Sequence, residues 1–526
     1  MLRLLRSRLS GWAKSWSLRD VSALSNVSRG STSPSSIYSR LLKGLGAYSL
    51  GQALNFALKV LLPPLFLKAW GVHGYGEWLV LSSFVAYLSL TDMGGQLYVT
   101  NRLTKAYAQQ DILLFRKILH TGLAIFVFMP LVVFLLFTAV IVMIPPELFL
   151  PLFETEHQTI VWVLAILGFQ FVFSLPLGIL IGVYRAVGLL PRGVMLSNLI
   201  LLLQLGLVAA GLWIGGGMVW IAVLQALPYL LVAAIAAWEL NKRFTQFDLL
   251  SLKEAEYSTG LAFIKPSLHF FSIQVAQVFS IQGMILVVGS ILTPLQVVTF
   301  STTRGMIAVM RQLLGLIGHS AWPEMTRLDA QHNSEGLYIL FRAILRSSLI
   351  FTGVLVVFFH FFGAAIYQMW LGDAVEYQST TMNLFLVYFW QMIFWSTSSF
   401  LLMAVSMHHT LSKILLASSL VSITLAYFLS REYSTLESVL IGMIVSDLLL
   451  PFWSVPYLVS KYQPQFSLWF FIKELVPVTI GAMSVILLPW VAPIVFLLLF
   501  VWGARNLRSL AMLELSARIS ARTRRS

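Results

Sequence analysis

Stretches of about 20 mostly apolar residues, long enough to cross a bilayer core, recur along almost the whole chain. They fall near 44–67, 77–98, 118–143, 160–182, 193–214, 217–238, 260–289, 294–318, 344–366, 380–405, 411–430, 436–458, 474–489 and 490–504. The pattern predicts an all-α polytopic membrane protein of about 14 spanning helices. The last two stretches are the shortest. Residues 1–40 break the pattern. Leu2, Leu5, Leu9, Trp12 and Trp16 recur at helical spacing, with Arg3, Arg6 and Lys14 elsewhere on the wheel. That suits a short helix lying on the membrane surface, followed by a Ser-rich tail. An organellar transit peptide is the alternative for this segment.

The polar connections alternate in sign. Arg102, Lys105, Arg116 and Lys117, then Arg185 and Arg192, then Lys242, Arg243 and Lys253 fall on one side. Arg327, Arg342, Arg346, Lys413, Lys461 and Lys473 continue that set, while Glu147, Glu154, Glu156, Asp373 and Glu376 fall on the other. The positive-inside rule puts the basic set, and with it both termini, in the cytoplasm. The basic tail 505–526 is then placed to meet anionic lipid.

Composition agrees. Of 526 residues, 58% are hydrophobic and 11% charged, and mean hydropathy is +0.84, which no ordinary soluble domain matches. The net charge of +14 reads as topogenic bias, since no folded basic domain is present to hold nucleic acid. There are no cysteines, which excludes disulfides and thiolate chemistry. The sequence has no Walker-type lysine loop, no nucleophile elbow and no zincin histidine spacing. Glu154 and Glu156 are the only outer-side acids that suit an external catalytic role, in a loop too short for a catalytic domain, so the reading is non-enzymatic.

The chain repeats itself after a little over 220 residues. "YSLGQALNFALK" (48–59) lies on "FFSIQVAQVFSI" (270–281), and "FRKIL" (115–119) on "FRAIL" (341–345). An even number of spans separates the copies. Two parallel six-helix lobes follow, 41–240 and 241–460, with a terminal helix pair at 461–504, a plan common in transporters.

Polar stripes fall on particular helices. Tyr48, Gln52, Asn55 and Lys59 step by four, three and four, so they share one face of the first helix. His269, Gln274, Gln277 and Ser280 answer on the seventh. Arg304 and Arg311 on the eighth are seven apart, which aligns them within about 20°. Intramembrane arginines face a bundle interior or a watery cavity, and the cleft between lobes is the natural place. Asp92 and Asp447 are the intramembrane acids, candidates for proton or sodium coupling or for structural pairing. "VHGYGEW" (72–78) reads as the tight turn joining the first two helices.

The segment 46–103, with its polar-striped first helix, Gly-Tyr-Gly at 74–76, Asp92-x-Gly94 and Asn101, resembles the opening of the polysaccharide-biosynthesis flippases. These are the O-antigen and teichoic-type exporters of the multidrug/oligosaccharidyl-lipid/polysaccharide superfamily. "TFSTTRGM" and its exit "AWPEMTRL" (321–328) resemble the matching part of the second half. The resemblance implies a carrier in the bacterial inner membrane. It would move an undecaprenyl-diphosphate-linked oligosaccharide outward by alternating access, alongside polymerase and glycosyltransferase partners. Arg304, Arg311 and Lys59 would cradle the diphosphate, and Gln52, Asn55, Gln274 and Gln277 the sugar. No cofactor is implied beyond a coupling H+ or Na+. A multidrug cation antiporter, a peptidoglycan-precursor carrier and a multi-span glycosyltransferase or polymerase are the alternatives.

Overall fold

The computed structural model describes the backbone of residues 34–143, 153–249, 251–405 and 407–488, and isolated positions from 491 to 501. The expected surface helix at 2–16 and the basic tail 505–526 lie outside the described residues, as does most of the expected last helix.

The chain is all-helical and polytopic. Helix α1 runs from 34 to 70 and α2 from 72 to 108, joined at Gly71, whose φ of 67° is open to glycine at little cost. The turn is therefore at Gly71 rather than at Gly74-Tyr75-Gly76, which form the first turns of α2. Tyr75 is buried there, and a Cβ on Gly76 would stand 2.6 Å from the carbonyl oxygen of Pro294. Those glycines serve close packing instead of a bend.

The expected helix 77–98 was too short, because α2 breaks and resumes. A 3-10 stretch, Tyr87–Asp92, ends with Met93 and Gly94 in the left-handed region, and Gly95–Ala108 continues as helix. Asp92 accepts from the Gln96 amide at 3.2 Å and so caps the second piece. It lies in a break in the middle of the helix.

The helices that follow are α3 (Ile112–Met143), α4 (His157–Ala186), α5 (Leu190–Trp213) and α6 (Met218–Arg243). Helix α7 spans 257–291 with a π-turn at Phe279–Gly283. Then come α8 (Pro294–Ala330), α9 (Ser334–Leu371), α10 (Ser379–Ala404) and α11 (His408–Tyr433). Helix α12 (436–462) is interrupted between Leu449 and Pro451, and α13 is Leu468–Leu487. Helices α8 and α9 run well beyond their apolar cores, and side-chain caps fix both of their N-terminal ends. Thr293 and Gln296 form a capping box on α8, and the Asn333 side chain accepts from the Gly336 amide on α9.

The three larger hydrophobic cores among the described residues reveal how the halves meet. The largest draws on both, including Phe66, Trp78 and Leu164 with Val288, Phe300 and Val439. All of these sit toward the face opposite the basic connections. On the basic face there are two separate cores, one within 99–263 and one within 325–499. The halves share apolar packing at one face; toward the other they have separate cores and meet through the Gln312–Gln52 hydrogen bond. Helix α7 is the exception. Phe263 near its start belongs to the first-half core and meets Tyr98 edge-on at 5.5 Å, while a Cβ on Gly283 would crowd Ile423 of α11.

Candidate functional site

A cavity of about 630 Å³ lies between the halves, with α1 and α2 on one side and α7, α8 and α10 on the other. Lys59, Arg304 and Arg311 all line it. The structure thus brings together the three cations that the stripes selected. Among the described residues no carboxylate comes within 4.0 Å of any of them. Lys59 and Arg311 are exposed to the cavity and Arg304 is half-buried.

Arg304 has a local reason to stay in place. A π-turn widens the ring of the helical ladder and leaves backbone groups poorly paired. Arg304 Nη1 donates to the Ile281 carbonyl inside that turn at 2.5 Å, and its guanidinium sits 5.3 Å from the Phe300 ring centre. Its remaining N–H groups are left for a ligand. Aromatic side chains line the cavity as well: Phe66, Tyr75, Trp78 and Trp370, with Phe66 and Tyr75 stacked at 5.1 Å between centroids.

The amides do not follow the same grouping. Gln52 and Asn55 line a second cavity of about 500 Å³ inside the first half, among α1, α2, α4 and α5. Gln52 Oε1 also accepts from Gln312 Nε2 of α8 at 2.5 Å, and Asn55 Nδ2 donates to the Gly51 carbonyl at 3.0 Å. Gln274 spans the halves differently. Its Nε2 donates to the Ser89 carbonyl at 2.8 Å, where the 3-10 stretch of α2 has loosened the ladder. Gln277 is exposed and lines neither cavity, and the side chain of His269 lies outside those described. The expectation of one amide-lined cleft is corrected to two sites and one structural tie.

The acids also separate. Asp92 lines the first-half cavity. Asp447 is buried on α12, where Trp395 Nε1 donates to its Oδ2 at 2.7 Å. Tyr388, a lining residue of the central cavity, lies within electrostatic range of both Asp447 and the two arginines. Sequence reasoning missed Tyr388 and Trp370 because both read as apolar core. Arg185 and Asn198, which line the smaller cavity, were also missed, since their helices show no polar stripe.

No protein-family model matches this sequence, and no curated protein matches it. Solved structures do. Lipid II flippase MurJ in an inward closed conformation superposes with a TM-score of 0.66 at 14% identity, over 90% of this chain and 100% of that one. An inward-facing multidrug resistance MATE family transporter of the MOP superfamily gives 0.61 at 12% identity, over 84% of this chain and 98% of the other. An outward-facing MATE transporter gives 0.51 at 14% identity, with 85% and 96% covered. The chain has the fold of the MOP-superfamily transporters.

Proposed function

We propose that this protein is a flippase for a polyprenyl-diphosphate-linked oligosaccharide, carrying it across the bacterial cytoplasmic membrane for surface polysaccharide export. The observation that carries this reading is the set Lys59, Arg304 and Arg311 in the cavity between the halves, with no carboxylate among the described residues within 4.0 Å of them. Such a site is short of negative charge. A diphosphate supplies it, and guanidinium forks hold phosphate oxygens in pairs. The sugar head needs a hydrated path, while the polyprenyl tail stays in lipid. With the basic face cytoplasmic, the halves have separate cores on the side where the substrate is made, and the Gln312–Gln52 contact is the tie that must open to admit it. Alternating access then requires the shared core at the other face to part.

The MurJ structure is by its name a lipid II flippase, so the fold accommodates a lipid-linked cargo. A cation antiporter on the same fold would want acid in this cavity, but among the described residues its lining holds no acid, and Asp447 is buried with Trp395 donating to it. An external catalytic acid finds little support. The backbone amide of Glu154 and the hydroxyl of Thr155 donate to Glu77, which makes this loop a docked connection. Proton or sodium coupling through Asp447 or Asp92 belongs to the same proposal.

The test is export in cells lacking their own flippase. Arg304→Ala and Arg311→Ala are expected to insert normally and to lose surface glycan. Normal surface glycan in both would remove the binding role. Transport of cationic dyes by the wild type would favour the antiporter instead.

A further inference from the structure

We infer that the cavity inside the first half is a saccharide-binding pocket, separate from the phosphate site and built from one half alone. This rests on the flippase reading above. The pocket is an open recess of about 500 Å³ lined by α1, α2, α4 and α5. At its wall α4 presents glycine, which lets side chains of α2 close onto that helix. A Cβ on Gly178 would overlap the Gln96 side chain, and one on Gly182 would overlap Thr100.

The polar part of the lining has the chemistry of a sugar site, set between the aliphatic side chains of Leu97, Ile181, Leu190, Val194 and Leu201. Gln52, Asn55, Gln96 and Asn198 contribute amides, Ser197 and Thr100 hydroxyls, and Asp92 and Arg185 opposite charges. Hydroxyl-rich ligands need donors and acceptors interleaved, which amides provide on one group. Part of this capacity is already used. Asn198 Nδ2 donates to the Ala47 carbonyl at 2.7 Å, Asn55 Nδ2 to Gly51, and Ser197 Oγ to the Gly193 carbonyl at 3.3 Å. These bonds fix the side chains and leave the Asn55 Oδ1 and the Gln52 amide N–H groups without protein partners among the described residues. Tyr48 is 52% exposed at the rim and offers a flat ring for the C–H face of a sugar.

The pocket lies close to the cationic site along α1. Asn55 lines the pocket and Lys59 the central cavity, and the two are about one helical turn apart, about 6 Å along the axis. A single ligand with sugar joined to diphosphate can therefore occupy both. Phosphate recognition would be common to any such lipid, while the pocket would discriminate among the sugars.

The test uses full-length protein in lipid nanodiscs and two kinds of probe. One is bare polyprenyl diphosphate; the other is the same lipid bearing one N-acetylhexosamine or one hexose. Gln96→Ala removes an amide and Ser197→Leu fills the pocket. Both are expected to weaken binding of a sugar-bearing lipid roughly tenfold, the effect of one lost buried hydrogen bond, with bare-lipid binding unaltered. Arg304→Ala should weaken both probes. The pocket assignment falls if the wild type gains nothing from any sugar, or if the pocket variants affect both probes equally or neither. Wild-type protein that binds no probe at all would refute the flippase reading, and the pocket with it. Thermal unfolding midpoints close to wild type identify the variants as folded, and Ser197→Leu and Gln96→Ala give independent readings if one fails.

Discussion

Trp370 on α9 donates from Nε1 to the carbonyl of Val60 on α1 at 2.6 Å. That carbonyl is available because Pro64, four residues on, has no N–H to offer it. A proline in one half thus creates the acceptor by which the other half is held. Trp370→Phe should lower stability by about 1–3 kcal/mol, the cost of an unpaired buried acceptor. In a Pro64→Ala background the helical N–H is restored, and the same tryptophan change should cost less than half as much. Thermal unfolding of the four proteins in detergent checks the cycle. Equal costs in both backgrounds would contradict the explanation.

Glu474 on α13 is enclosed by two arginines of α9. Arg346 Nε donates to Oε2 at 2.6 Å and Arg342 Nε to Oε1 at 2.8 Å, with the Glu474 side chain only 2% exposed. Glu474→Ala strips the buried Arg346 of this acid and should cost about 3–5 kcal/mol. Arg342 is 39% exposed, so Arg342→Ala should cost about 1 kcal/mol or less. Denaturant unfolding separates the two.

Gln52 and Gln312 meet across the halves, and the chain has no cysteine to interfere. Gln52→Cys with Gln312→Cys should be joined by a short bis-maleimide in membranes, shown by the band shift after cleavage of an engineered site between them. Because the contact ties α1 to α8, cross-linking should stop transport and reduction-stable protein should stay inactive. Transport at the wild-type rate in fully cross-linked protein would show that these helices do not separate in the cycle.

Glu256, just before α7, pairs with Lys117 and accepts from Thr259 Oγ1 at 2.6 Å. These hydrogen bonds, the one from Lys117 foremost, lower its pKa from the ordinary 4.5 to about 2. The folded form therefore holds its proton less tightly than the unfolded one, and stability rises with pH through this window. The contribution is complete above about pH 4.5 and is lost as pH falls toward 2. Carboxylate titration by NMR should give a midpoint near 2 that moves up toward 4.5 in Lys117→Ala.

The spans were legible because apolar length is a local property, and bilayer thickness fixes how much of it is needed. The three cations were legible for a related reason: a charged side chain in lipid must face inward, so its helix position already implies a cavity. Glycine was less informative. Gly71 and Gly74 look alike in sequence, and only the contact of Gly76 with Pro294 explains why the turn falls at the former. The α2 break was hidden for the same reason, since Gln274 of a distant helix meets the carbonyl it loosens.

By itself the sequence determined that this is a many-spanning helical protein with alternating charged connections and three intramembrane cations. Hydropathy and helical period act over one or two turns, so neighbours along the chain decide them. Only the tertiary structure decided that the cations share one cavity, that Gln52 and Asn55 line another, and that Gln274 serves as a tie. Those outcomes depend on which helices pack side by side, and residues hundreds of positions apart set that packing.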